Sequence, residues 1–164
     1  MGGGKGPGSR MTPMPIQGHD SPEAAAMTGF PSAHCRVIAS RVDGRNAYVL
    51  LNTGTRERPY LYGGTCVLRD GHWHDGSSGN GGGWSPTDDE GALGIWSVWG
   101  EAPANADMVR VEFNGETSEH PVLDGAYLVV WFNQPFGDGV WGLQPRVTAF
   151  RTDGAWMESR WPWM

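Results

Sequence analysis

The sequence has little cysteine, little basic charge and no long apolar run. Cys35 and Cys66 are the only cysteines among 164 residues, which excludes a disulfide-dense scaffold and leaves their pairing undecided. Lys and Arg number 12 against 18 Asp and Glu, for a formal net charge of −6. Because nucleic-acid binding needs clustered basic residues, no nucleic-acid partner is predicted. No run approaches the ~18 apolar residues of a membrane span, so no membrane partner is predicted either.

The first 20 residues consist largely of glycine, proline and polar residues. They contain no apolar segment of the kind found in signal peptides, so a soluble protein in the cytoplasm is the default expectation. Such a composition buries too little surface to offset its ordering entropy, and we predict a disordered leader over residues 1–20. The sequence leaves the true start undecided among Met1, Met11 and Met14.

One short helix is predicted directly after this leader. Ser21 is a favourable N-cap, Pro22 suits the first helical position, and Glu23 suits the positive end of the helix dipole. Gly29 is expected to end the helix within two turns.

The abundant residue is glycine, and much of it lies in turn-forming dipeptides between β-prone runs. Asp-Gly and Asn-Gly accept the positive φ of tight hairpin turns, so they predict antiparallel sheet. Five such dipeptides lie at strand boundaries: Asp43-Gly44, Asp70-Gly71, Asn114-Gly115, Asp124-Gly125 and Asp153-Gly154. The sequence therefore predicts an all-β fold with one short N-terminal helix.

The strand patterns also predict how the sheets are covered. Residues 108–113 alternate apolar with charged side chains, which is typical of a sheet with one solvated face. Residues 127–132 are apolar throughout, which predicts a central strand buried on both faces. We expect the helix and an antiparallel meander over 21–75, a glycine-rich loop over 76–92, a second set of strands over 93–158, and an aromatic tail over 159–164.

An ordered set of segments resembles a family of small, uncharacterised bacterial proteins. The segments are 21–25, 70–84, 107–113, 124–131 and 145–150, and the most specific is the string DGxWxxGSSGNGxGW over 70–84. This resemblance implies no reaction. The C-terminal half is also similar to the immunoglobulin-like β-sandwich modules of many bacterial proteins, which implies a fold and not a function.

A metal site is one candidate for function. His72 and His74 are two residues apart on a predicted strand, so their side chains share a face. With Asp75 they form a partial ligand set for a small metal-assisted hydrolase, although zinc needs three or four ligands. Two exposed strand residues flanking a core Trp73 explain the same pattern more simply.

Aromatic residues in the predicted loops are the leading candidate. Two segments, 76–91 and 133–144, are not explained by hairpins. Trp84 lies in the first of them, together with the polar Asn80, and Trp141 lies in the second. Exposed rings on a β-scaffold form binding platforms for proteins or glycans. The alternative is that these rings fold back over open sheet ends. The sequence therefore favours a non-catalytic binding or accessory domain with no cofactor, and it leaves the oligomeric state undecided.

Overall fold

The computed structural model of the chain describes residues 18–30, 32–79, 81–88, 90–135, 144–153 and 156–160, and it confirms the all-β class. Most of the predicted leader, the 136–143 segment and the end of the predicted aromatic tail lie outside these residues. The elements in chain order are α1 (Pro22–Ala26), a 3-10 turn (Ser32–His34), β1 (Arg36–Asp43), β2 (Asn46–Asn52), β3 (Leu61–Arg69), β4 (His72–Gly79), β5 (Gly82–Pro86), β6 (Leu93–Glu101), β7 (Met108–Phe113), β8 (Glu116–Pro121), β9 (Ala126–Pro135), β10 (Arg146–Phe150) and β11 (Trp156–Arg160).

Helix α1 begins where the capping pattern predicts. The Ser21 hydroxyl accepts a hydrogen bond from the backbone N–H of Ala24 at 3.1 Å, and Pro22 occupies the first helical position. This cap satisfies one of the N–H groups that a helix leaves unpaired at its start. Gly29 follows the helix with φ of 87°.

The hairpin turns follow the dipeptides, with one difference. Asp70-Gly71 and Asn114-Gly115 hold both turn residues at positive φ, between 51° and 79°. At the first hairpin Asp43 instead pairs with Asn46, so Gly44 and Arg45 form the turn and only Gly44 has positive φ. Glycine alone therefore supplies the unusual backbone conformation there.

The strands form three sheets, which we call A, B and C. Sheet A has the order β1-β2-β3-β4 and is the predicted antiparallel meander. Sheet B has the order β5-β6-β9, and sheet C has the order β11-β10-β7-β8.

The glycine-rich segment differs from its predicted form. Strand β4 continues to Gly79, and Gly82–Pro86 form β5, which pairs antiparallel with β6. The loop predicted over 76–92 is therefore wrong for most of these residues. Glycine lets the β5 backbone approach β6 closely, because a Cβ at Gly82 would lie 2.1 Å from the Ser97 carbonyl oxygen.

Strand β9 is also placed differently from the prediction. Of residues 127–132, for which the apolar pattern predicts burial on both faces, Tyr127, Leu128 and Val129 are buried, whereas residues 130–132 are half-buried. However, β9 lies at the edge of sheet B, and β6 is the central strand. The burial comes from stacking, because sheet B has sheet A on one face and sheet C on the other.

Alternation along each strand produces this three-layer stack. Ala47, Val49 and Leu51 of β2 face α1, while Tyr48 and Leu50 face sheet B. The core between sheets A and B comprises Ala39, Tyr48, Leu50, Ile95, Trp99, Ala126 and Leu128. The core between sheets B and C comprises Val98, Val109, Val111, Tyr127, Val129, Val147 and Ala149.

One buried polar contact joins sheets A and B. The Trp99 indole N–H donates to the Tyr48 hydroxyl at 2.7 Å. The indole also lies against Gly63, where a Cβ would stand 2.5 Å from the Trp99 Nε1. Since buried donors need partners, this bond satisfies the Trp99 indole N–H within the core.

Candidate functional site

The connection between β2 and β3 is a long polar loop held by one buried side chain. Asn52, the last residue of β2, is 2% exposed. Its Oδ1 accepts hydrogen bonds from the N–H of Gly54 at 2.9 Å and of Tyr60 at 3.1 Å. Its Nδ2 donates to the Thr55 carbonyl at 3.3 Å. We call residues 53–60 the pinned loop, because Asn52 joins both of its ends.

Further hydrogen bonds close the pinned loop on itself. The Thr53 N–H donates to the Tyr60 carbonyl at 2.8 Å, as in a continued strand pair. The Arg58 N–H donates to the Thr55 hydroxyl at 2.9 Å. With these backbone groups paired locally, the loop has a defined shape, and its residues 55–60 are exposed.

The pinned loop presents one large ring and three charges to solvent. Tyr60 is 70% exposed, the highest value among the exposed large hydrophobic residues of the described chain. Arg56, Glu57 and Arg58 are exposed as well. Tyrosine and arginine are enriched where proteins contact each other, so this composition differs from that of an ordinary solvated turn.

A cavity of about 610 Å³, which we call the cleft, lies beside the pinned loop. Its volume is within the range of pockets that hold ligands. The end of β6 and the turn before β9 form its other wall. Its charged lining residues are Arg36, Arg56, Glu57, Glu101 and Asp124, and its apolar ones include Pro59, Leu61, Ala102, Pro103, Ala104 and Ala126.

One ion pair crosses the cleft from sheet A to the turn before β9. Arg36 Nε lies 3.0 Å from Asp124 Oδ2, and both side chains are more than a third exposed. The Arg36 Nε forms no hydrogen bond, so the contact is an ion pair without hydrogen-bond geometry. Exposed pairs of this kind stabilise by about 1 kcal/mol or less, so this one orients Arg36 more than it stabilises the fold.

Trp84, the first predicted binding residue, lies in β5 and is half-buried. Its indole N–H donates to the Gln134 carbonyl at 3.3 Å. It packs in an aromatic cluster with Trp96, Phe113 and Trp131, in which the Phe113 and Trp131 ring centroids are 4.5 Å apart. Trp84 therefore covers one end of the sheet B and sheet C core and is not a loop ring.

The aromatic cluster and the cleft lie toward opposite ends of sheet B. Trp96 is near the start of β6, while Glu101 is its last residue and borders the cleft. The other two predicted binding residues, Asn80 and Trp141, lie outside the described residues. The predicted set of Asn80, Trp84 and Trp141 stays a prediction.

The predicted metal ligands do not share one face of the sheet. His72, Trp73, His74 and Asp75 are consecutive in β4, in regular register with Arg69 to Cys66 of β3. Trp73 faces α1, so Asp75 lies on that face and the two histidines lie on the other. Among the described residues, no group of three or more His, Cys, Asp and Glu is placed to hold a metal ion.

Both cysteines are buried free thiols in the core beneath α1. Burial, together with the nearby carboxylates of Asp75 and Glu23, raises the pKa of Cys66 to about 12. Its Sγ donates to the Pro22 carbonyl at 3.5 Å. Burial also raises the pKa of Cys35. Since the thiolate is the reactive form, both groups have the properties of structural cysteines.

We expect the Cys66 thiol to resist alkylation in the folded protein. In a Cys35→Ala variant, iodoacetamide at pH 8 should leave Cys66 unmodified, because its thiolate fraction is very small at that pH. Mass spectrometry after labelling measures this, and labelling in denaturant provides the control. Modification of the folded variant at the rate of a free cysteine would contradict the assignment of Cys66 as a structural cysteine.

The pinned loop was missed from the sequence, although a signal was present. The other hairpins of the meander are joined by two-residue turns, whereas the Thr-Gly-Thr-Arg-Glu-Arg-Pro-Tyr stretch after Asn52 is far longer. With eight residues it exceeds the roughly 2–5 residues that usually join hairpin strands. The sequence does not show that Asn52 holds the loop. Its hydrogen-bond partners depend on where the chain returns at Tyr60.

No family model matches the chain, and no curated protein or solved structure is significantly similar to it. The resemblance based on residues 70–84 therefore stays a prediction. Within the described ranges, no helix has the length and apolar character needed to cross a membrane.

Proposed function

We propose that this chain is a non-catalytic binding protein whose contact surface is the pinned loop together with the cleft, and that its partner is a protein. The observation that carries this proposal is the 70% exposure of Tyr60 on a loop whose two ends are held by the buried Asn52. A flexible loop would lose conformational entropy on binding, whereas a preformed loop loses less.

The chemistry of the exposed side chains supports a protein partner. Tyr60 offers a rigid ring with a polar end, and Arg56 and Arg58 offer planar groups with several donors. Tyrosine and arginine, with tryptophan, dominate the binding energy of known protein interfaces. The proposal thus keeps the predicted use of a loop aromatic and moves it from Trp84 to Tyr60.

We also propose that residues 82–160 form an immunoglobulin-like sandwich. Strands β5 to β11 are its first to seventh strands, and the first, second and fifth form one sheet. The third, sixth and seventh lie together in the other, which is the division found in immunoglobulin domains. The fourth strand, β8, departs from the constant-domain pattern by pairing with β7.

The metal-assisted hydrolase built on His72, His74 and Asp75 has less support. The carboxylate of Asp75 faces α1, whereas the histidine rings face away from it. Burial raises the pKa of Asp75.

A paired capture experiment tests the proposed surface. Immobilised wild-type protein and an Arg58→Ala/Tyr60→Ala variant are incubated with lysate of the source cells, and bound proteins are quantified by mass spectrometry. We expect a partner whose capture falls roughly tenfold or more in the variant, because interface arginines and tyrosines carry much of the binding energy.

The control for this experiment is Val42→Ala, which truncates a 54% exposed side chain of β1 outside the loop. It should capture the partner as the wild type does. If no protein depends on the loop residues, or if a glycan array gives the only binding that depends on Tyr60, the proposal of a protein partner is wrong.

A further inference from the structure

We infer that the cleft receives a basic side chain, arginine or lysine, from the partner protein; this inference rests on the proposed function. The size of the cleft supports this inference. A cavity of about 610 Å³ accommodates a side chain together with the backbone that carries it. One part of its lining is apolar, with the half-buried Leu61, Ala102 and Pro103 among the contributing residues.

The apolar lining suits the stem of a long basic side chain. Lysine and arginine bury their methylene groups along apolar surface and keep the charged end in a polar environment. The lining of the cleft also includes two carboxylates from different elements, since Glu57 belongs to the pinned loop and Glu101 ends β6. A short acidic side chain would not use this apolar surface.

The charges of the cleft also favour a basic side chain. The guanidinium of Arg36 is already opposed by Asp124 at 3.0 Å. Glu57 and Glu101 form no ion pair with any described residue, and Arg56 is the single remaining positive group of the lining. The cleft therefore has one more carboxylate than guanidinium, and the chain as a whole has a net charge of −6. Both favour a positively charged ligand group.

The free carboxylates of the cleft differ from two that lie on the outer face of sheet C. On the outer face of that sheet, Glu119 pairs with Arg110 at 3.0 Å and Glu112 lies 3.9 Å from Arg146. Those carboxylates have cations within the protein, as cross-strand neighbours often do. Glu57 and Glu101 have none among the described residues, so they are available to a cation from outside.

Three short peptides test the inference on the full-length protein. The probes are acetyl-Gly-Val-Arg-Val-Gly-amide and its analogues with glutamine or glutamate in the central position. Binding is measured by isothermal titration up to about 1 mM peptide. We expect the arginine peptide to bind roughly fivefold more tightly than the glutamine peptide, as one or two exposed ion pairs allow. The glutamate peptide should bind most weakly.

Matched variants assign the effect to the cleft. Glu101→Gln should remove most of the advantage of the arginine peptide, whereas Glu116→Gln, which changes an exposed carboxylate of β8 outside the cleft, should preserve it. Preferential binding of the glutamate peptide, or an arginine advantage that Glu101→Gln does not alter, overturns the inference.

The remaining outcomes separate the inference from the proposed function. If all three peptides bind equally and Tyr60→Ala weakens each of them, the loop is a binding surface and the assignment of a basic side chain is wrong. If no peptide binds, the inference is wrong as well, and the capture experiment alone decides the proposed function.

Discussion

Replacing Leu50 with alanine is expected to lower the free energy of unfolding by about 2–5 kcal/mol. Leu50 lies in β2, is 0% exposed, and faces sheet B from the central part of sheet A. Truncation removes buried apolar surface and leaves a cavity between two sheets. Movement of sheet B into the space is opposed, because sheet B is also packed against sheet C.

A matched leucine provides the control for this prediction. Leu93 begins β6 and is 41% exposed, so Leu93→Ala should change the free energy of unfolding by only about 0.5 kcal/mol. Urea denaturation followed by tryptophan fluorescence measures both variants, since Trp99 packs in the same core as Leu50. Equal effects of the two substitutions would contradict the three-layer arrangement.

The local features of the fold could be predicted because they depend on short-range chemistry. Asp70-Gly71 and Asn114-Gly115 specify hairpins through the positive φ that both residues accept. Ser21 specifies the start of α1 through one hydrogen bond to a residue three positions away. In each case the residues that decide the structure are neighbours in the chain.

The stacking of the sheets could not be predicted in this way. The apolar run of 127–132 indicates burial on both faces, but it does not distinguish a central strand from an edge strand between two layers. Only the contacts of Leu128 with sheet A and of Val129 with sheet C identify β9 as an edge strand between two layers. These contacts join residues that are distant in sequence.

The strand position of Trp84 could not be predicted for a related reason. The glycines around Trp84 predict a loop, and its ring either forms a binding platform or folds back over the sheet; in the structure the glycines allow close pairing of β5 with β6, and Trp84 is packed as a result. The pinned loop has fewer conspicuous residues, and its rigidity depends on the return of the chain to Asn52. Rings near glycine are therefore weaker evidence for a binding surface than an exposed ring on a hydrogen-bonded loop.

A substitution of Gly82 tests this account of the glycine-rich segment, and we expect Gly82→Ala to destabilise the protein strongly. Gly82 has φ of 109°, which a residue with a side chain rarely adopts, and its Cβ would meet the Ser97 carbonyl oxygen and the Val98 Cα at less than 3.0 Å. Both obstacles are backbone atoms of the central strand of sheet B, so a change of rotamer cannot relieve the clash.

The adjacent glycine separates the clash from the backbone strain. Gly83 has φ of 140°, and a Cβ at this position would meet nothing within 4 Å, so Gly83→Ala introduces only the strain. We expect Gly82→Ala to lower the free energy of unfolding by about 1–3 kcal/mol more than Gly83→Ala, as for other overpacked sites. Urea denaturation of the two variants measures the difference. If both variants are equally stable, β5 does not pair closely with β6, and the first strand of the proposed seven-stranded sandwich is lost with it.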